Sequence, residues 1–183
     1  MLLTYTELTH LLDTGVVRGA QKGHVNGASI DVVLGSTLWV EKPPKGSQTV
    51  VDLMAKDSPA MMPVDLIKQG YFDLAPGQFC LASTIETFFL PNNIAAEYRL
   101  KSSLARSGLN AALAMWCDPG WHGSVLTLEL MNSLRYHSLR LRPGMKAGQM
   151  IFLKGTPVPD HAAYSVRGQY NSDLSAQPSK GLN

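Results

Sequence analysis

Ser124-Val-Leu-Thr-Leu-Glu-Leu-Met131 alternates side-chain character residue by residue, the period of a half-buried β-strand whose successive side chains leave opposite faces. Leu126, Leu128 and Leu130 share one face and read as core; Val125, Thr127 and Glu129 share the other. Glu129 is open to two readings. On an outer face it meets water, the ordinary place for a carboxylate. On a face that lines a cavity, desolvation raises its pKa towards the range in which a general acid/base works.

Short apolar runs of the same kind recur on both sides: Ser29–Leu34, Thr37–Val40, Gly70–Leu74, Gln78–Ser83, Thr87–Leu90, Glu97–Leu100, Ser138–Leu141 and Gln149–Leu153. Pro43-Pro44, Pro76-Gly77, Pro91-Asn-Asn93, Pro119-Gly120 and Pro143-Gly144 separate them as turn signals. Many short strands at this spacing predict a mainly β protein, an antiparallel sandwich or barrel. One helix precedes them. Thr4-Tyr-Thr-Glu7 is a capping box, Leu8, Leu11 and Leu12 form an apolar stripe, and Gly15 is placed to stop it. Residues 1–183 read as one domain, with 157–183 a polar C-terminal arm. Met61-Met62 reads as core filler, and Trp39, Phe88 and Phe89 as candidates for an apolar surface.

Composition narrows the function. Of 183 residues 45% are hydrophobic and 16% charged, a globular balance with a net charge of only +2. The cations are scattered, whereas a nucleic-acid binder concentrates them on one face; no nucleic-acid partner is expected. No apolar run reaches membrane-spanning length and the N-terminus has no signal-like pattern, so a cytoplasmic protein is expected. Cys80 and Cys117 are the only cysteines, and the five histidines have no ligand spacing, so no structural zinc is expected. The zinc-deaminase signature, the Walker phosphate loop and the hydrolase serine elbow are all missing.

What remains is a cluster. Lys101-Ser-Ser-Leu-Ala-Arg106, with Gly108 behind it, reads as a helical turn capped by Ser102 and Ser103. The N–H groups of such a turn, with Lys101, make an anion site or an ordinary solvated cap. Asp118-Pro-Gly-Trp121 reads as a turn with the carboxylate on its own backbone, or as an acceptor for a sugar hydroxyl. The inventory suits a phosphorylated, sugar-bearing ligand.

These segments, with Ser29-Ile-Asp-Val32, Leu90-Pro-Asn92 and Pro143-Gly-Met-Lys-Ala-Gly-Gln149, resemble the dCTP deaminases of the trimeric dUTPase-like superfamily over essentially the whole chain. The resemblance implies a distorted jelly-roll protomer and a homotrimer with sites at subunit interfaces. It implies a zinc-independent deamination of dCTP to dUTP and ammonia, with Mg2+ carried by the triphosphate. By the same likeness Glu129 is the acid/base, and Ser102, Arg106 and the Ala114 carbonyl hold water and base edge. Lys101 and Ser103 meet phosphate, Asp118 meets the 3′-hydroxyl, and Thr127 and Leu128 offer backbone to the pyrimidine. Tyr164, Gln169 and Asp173 stand at positions of an arm that closes over the nucleotide. Two alternatives stay open: a bifunctional enzyme that carries dUTP on to dUMP, with dUTP or dTTP as further ligands, and a non-catalytic nucleotide-binding homologue.

The chain also departs from the pattern. Gln169 replaces a lysine and Asp173 a glutamine, which removes a cation and adds an anion where a triphosphate is expected. The Leu109–Asp118 loop is one residue short. The Asp118–Glu129 interval is one residue long, and only a bulge keeps Glu129 on the cavity side.

Overall fold

The computed structural model describes residues 1–44, 50–55, 58–112 and 116–181. Helix α1 (Tyr5–Asp13) opens on the expected capping box, Glu7 Oε2 accepting the Thr4 N–H at 2.9 Å. Leu8 and Leu11 are buried beneath it, and Gly15 follows in the left-handed region at φ +72°.

The chain then lays down β1 (Val17–Arg18), β2 (Ile30–Glu41), β3 (Met61–Asp65), β4 (Phe72–Leu74), β5 (Phe79–Phe89), β6 (Ile94–Leu100), β7 (Leu109–Ala111), β8 (Trp116–Cys117), β9 (His122–Asn132), β10 (Leu139–Leu141) and β11 (Lys146–Lys154). Short helices α2 (Leu66–Gln69), α3 (Ser102–Arg106) and α4 (Tyr164–Arg167) fall between or after them. Among the described residues one sheet runs β7-β9-β5-β2-β11-β6-β8, with β1 added to β5 and β3 to β2, while β4 and β10 form a separate ribbon. No described helix is long and apolar enough to cross a membrane.

Two pairs of runs read as separate strands each form one continuous strand. Ser29–Leu34 and Thr37–Val40 belong to β2, and Gln78–Ser83 and Thr87–Leu90 to β5. The breaks in pattern between them are register shifts, at Leu34/Leu38 and Ser83/Thr87. Such irregularities bend a strand and increase its twist. They let β2 pair with β11 through Ile30–Val33 and with β3 and β5 beyond, so the sheet curls around one core.

Continuity also explains Phe88. Cys80, Ala82, Thr84, Glu86 and Phe88 share one parity of β5 and all are buried. Phe88 is therefore no surface residue; it stacks on Trp121 at 5.5 Å, while Trp39 and Phe89 are half-buried. Met62 is 44% exposed rather than core, because β3 buries only Val64.

Glu86 lies on the same inner face. It is completely buried, its Oε2 accepting the Val33 N–H at 3.0 Å, and its Oε1 has no partner among the described residues. Burial, only partly offset by that bond, pushes its pKa up to about 7.

From Pro157 the arm runs back along β9. β7 pairs only with Leu130–Asn132, which leaves the other end of that edge free. The arm takes it: Ser172 N–H donates to His122 O at 3.2 Å and Val125 N–H to Asp173 O at 2.9 Å. Trp121 Nε1 donates to Tyr170 O at 2.7 Å. The arm's own turn is held by a close approach, because a Cβ at Gly168 would run into the Tyr164 ring.

Two outcomes follow from this packing. A carboxyl that protonates more readily folded than unfolded stabilises most at low pH. Glu86 therefore costs stability as pH rises from about 4.5 to about 7, by an amount on the order of 2–3 kcal/mol. Urea melts at pH 5 and pH 8 are expected to show that loss in the wild type and a smaller one in Glu86→Gln. Gly168→Ala is expected to unseat the arm. Limited proteolysis should then cut between residues 157 and 181, while the body's melting temperature falls only slightly.

Candidate active site

Strand β9 builds the site. Its pairing with β5 runs Leu81↔Glu129 and Ser83↔Thr127, then shifts between Phe88↔Ser124 and Phe89↔His122. The residue left over is Gly123, at φ +73°, a conformation that side-chain-bearing residues rarely hold. Here is the bulge that the long Asp118–Glu129 interval required. Beyond it the parity holds. Leu128 and Leu130 are at most 1% exposed in the core, and Val125, Thr127 and Glu129 line a cavity of about 440 Å³.

The cavity is flanked by flat and apolar side chains: Leu81, Trp116 and Trp121 from the body, Tyr164 and Tyr170 from the arm. Within it, Glu129 Oε2 is buried without a hydrogen-bond partner among the described residues. Burial lifts the pKa of Glu129 above the usual carboxylate range. Cys117, on the same wall, has its thiol pushed up to about 12, first by burial and then by the charges of Asp118 and Glu129. Thr127 Oγ1 accepts the Gln177 N–H at 3.1 Å, so the arm is fastened directly beside Glu129. A protonatable carboxyl in a slot of rings can receive a heteroaromatic ligand and move its protons.

Of the residues singled out in the sequence, Glu129, Thr127, Tyr164 and Asp173 line this cavity. Lys101, Ser102, Ser103, Arg106, Asp118 and Gln169 do not, and Leu128 is sealed in the core. Ala114 lies outside the described residues. Ser102 and Ser103 are not caps. Helix α3 starts one residue earlier, with Lys101 at the N-cap, and the serines occupy its first turn, exposed. Asp118 spends its carboxylate on the Trp116 indole, Nε1 donating at 2.8 Å, rather than on its own backbone.

Lys101 has a partner that local pattern does not reveal. Its Nζ lies 2.7 Å from Asp31 Oδ1, and Lys146 Nζ lies 2.8 Å from Oδ2. Burial by itself would raise the pKa of Asp31, but hydrogen bonds from Lys101, Lys146 and Asn26 hold it down at about 2. Two ammonium groups on one carboxylate leave a net positive cluster. Asp173, expected as a bare anion, is paired with Lys180 at 3.0 Å. Gln177, Trp116 and Lys180 are site features that sequence reasoning missed. Among the described residues no three His, Cys, Asp or Glu side chains gather as metal ligands.

Comparison with known proteins places this geometry. A family model described as dCTP deaminase-like matches residues 2–155. A relative from Aquifex aeolicus (strain VF5) named "dCTP deaminase, dUMP-forming" is 31% identical over 182 residues, covering 98% of this chain and 94% of its own length. A protein of the same name from Mycobacterium tuberculosis (strain ATCC 25618 / H37Rv) is 41% identical over 112 residues, 60% of this chain and 58% of that one. Among solved structures, the 2′-deoxycytidine 5′-triphosphate deaminase of Agrobacterium tumefaciens matches with TM-score 0.64 and 23% identity over 84% of this chain and 48% of that longer one. A mutant dUTPase from phage phi11 of S. aureus matches with TM-score 0.50 and 14% identity over 78% of this chain and 88% of that one. The two structural matches establish the fold, the curled β architecture of the dUTPase-like type. With its model spanning most of the sequence and one relative aligned almost end to end, the chain belongs to the dCTP deaminase-like family.

Proposed function

We propose that this protein deaminates dCTP and carries the product on to dUMP. In the first step a water attacks C4 of cytosine, the amino group leaves as ammonia, and dUTP results. In the second a water cleaves the triphosphate to dUMP and pyrophosphate. The names of the relatives favour this two-step outcome over release of dUTP.

One observation carries the deaminase reading: the Glu129 carboxyl sits in the cavity with a buried, unpartnered Oε2 and a raised pKa. Water attack needs a base, and departure of ammonia needs an acid. A carboxyl whose pKa burial has raised can serve as both. Glu129 takes one proton from the attacking water and gives it to N3; it then takes the second from the new C4 hydroxyl and hands it to the amino group, so the C4 carbonyl forms as ammonia leaves. The carbonyl side of Thr127–Leu128 offers hydrogen bonds to the pyrimidine, and Asp118, on leaving the Trp116 indole, takes the 3′-hydroxyl. The triphosphate arrives with its Mg2+ as substrate.

Within one protomer Lys101, Ser102, Ser103 and Arg106 lie outside the lining of the Glu129 cavity. A second copy of the chain supplies them in the homotrimer this reading requires. Lys101 and Ser103 then take phosphate, and Ser102 and Arg106 hold the water and base edge.

Incubation with dCTP and with dUTP, products separated by chromatography, is expected to give ammonia, dUMP and pyrophosphate from dCTP. Accumulation of dUTP would reduce the activity to deamination alone, and tight dCTP binding without ammonia would make the chain a non-catalytic homologue. Glu129→Gln should lower ammonia release by about 10²–10⁴-fold while dCTP still binds. Because protonation removes the base, kcat/KM should fall on the acid side at a pH above that of an ordinary glutamate. Glu129→Gln and Arg106→Ala trimers, each inactive, are expected to recover activity after subunit exchange; no recovery would place both residues in one protomer's site.

A further inference from the structure

Lys180 lies beyond the residues matched by the family model, in a tail whose sequence signals nothing. Its ammonium is nevertheless the hub of the arm. Nζ donates to Gln169 O at 2.8 Å and to the Asp173 carboxylate at 3.0 and 3.3 Å, and it stands 4.8 Å from the centroid of the Tyr170 ring. Its backbone N–H donates to Tyr170 Oη at 2.9 Å. The positive charge that Gln169 lacks in sequence is thus supplied in space from eleven residues further on.

The surroundings define what that charge can do. Asp173 and Glu129 line the same cavity. Two carboxylates facing one cavity repel a polyanion. Pairing with Lys180 cancels one of them. The pair is only partly shielded, with side-chain exposures of 35% for Lys180 and 18% for Asp173. Such a pair is weak and salt-screened, so an ammonium with three donors can trade one of them for a more highly charged acceptor.

We infer that Lys180 is a polyphosphate-binding residue of this site, held ready by Asp173 while the arm is empty and shifted onto a phosphate when a nucleoside triphosphate enters. The inference rests on the nucleotide reading above and adds to Lys101 and Ser103 a residue of the arm through which this chain tells triphosphate from nucleoside.

Calorimetric binding of dCTP, dCMP and deoxycytidine tests it independently of turnover. Lys180→Gln is expected to lower the ratio of dCTP to deoxycytidine affinity roughly five- to tenfold, the size of one partly solvated charge-assisted hydrogen bond. The loss should be smaller for dCMP and should shrink as salt rises. Lys180→Arg should restore most of the ratio, and Asp173→Asn should raise it above wild type. If Lys180→Gln weakens dCTP and deoxycytidine equally, Lys180 only fastens the arm and the inference falls. It falls too if Asp173→Asn lowers the ratio. Wild-type protein that binds dCTP but releases no ammonia defeats the deaminase reading and leaves the ratios meaningful. Protein that binds neither nucleotide nor nucleoside defeats both.

Discussion

The placement of one carboxyl depends on strand parity. Side chains alternate with a period of two, so a slip of a single residue in β9 would send Glu129 and Thr127 into the core and the leucines into the cavity. Gly123 prevents this by taking up the extra residue at a positive φ that its missing Cβ allows. Past that point the main chain of β9 is gripped from both sides. Leu81 of β5 stands opposite Glu129, and the Ala112 N–H donates to the Glu129 carbonyl at 2.9 Å. Leu128 and Leu130, fully packed, resist any rotation of the strand. The carboxyl is therefore positioned chiefly by backbone pairing and core packing, and its Oε2, without a partner among the described residues, is left for a ligand.

That parity could be read from residues 124–131, and so could the need for a bulge, because both are local. Helix α1 was legible for the same reason: cap, stripe and stop fall within a dozen or so neighbouring residues. Failures came where a distant partner decides. Asp31 was visible within Ser29-Ile-Asp-Val32, but nothing nearby announces that lysines 70 and 115 residues away converge on it. Ser83–Thr87 looks like an end of strand because its alternation falters. It is a bend in a continuous strand, and only pairing with β2 and β9 shows that Phe88 stays on the inner face. Lys180 was illegible altogether, since a lone cation in a polar tail gains meaning only from the fold it returns to.

Glu86 and Glu129 share a strongly polar side chain, burial and a raised pKa, yet only one of them makes a site. Glu86 projects into the core, where its Oε2 is used by the Val33 N–H, and it lies outside the lining of the Glu129 cavity. It fills the gap where β2 leaves β11 to join β5, a bend that frees a main-chain donor needing an acceptor. Its elevated pKa is a by-product of structural work. Glu129 is desolvated too, and has a cavity in front of it. A perturbed carboxyl marks chemistry only when a reactant can reach it, so access, rather than the size of the shift, separates the two.

Electrostatics then gives a bound nucleotide its direction. The cavity end is rich in carboxylates, with Glu129 and Asp173, and suits a base that offers amino hydrogens and accepts protons. Lys101 and Lys146 share a single counter-charge in Asp31, so their cluster keeps a net positive charge and donors to spare. A triphosphate is drawn to the second and, at the first, to Lys180 once it leaves Asp173. Within one protomer neither Lys101 nor Lys146 is among the residues that line the Glu129 cavity. In the proposed trimer a neighbour's cations stand across from the cavity, and the substrate's own polarity sets its base against Glu129. Assembly would then be a condition of catalysis, because the cavity and the cations that serve it would come from different protomers.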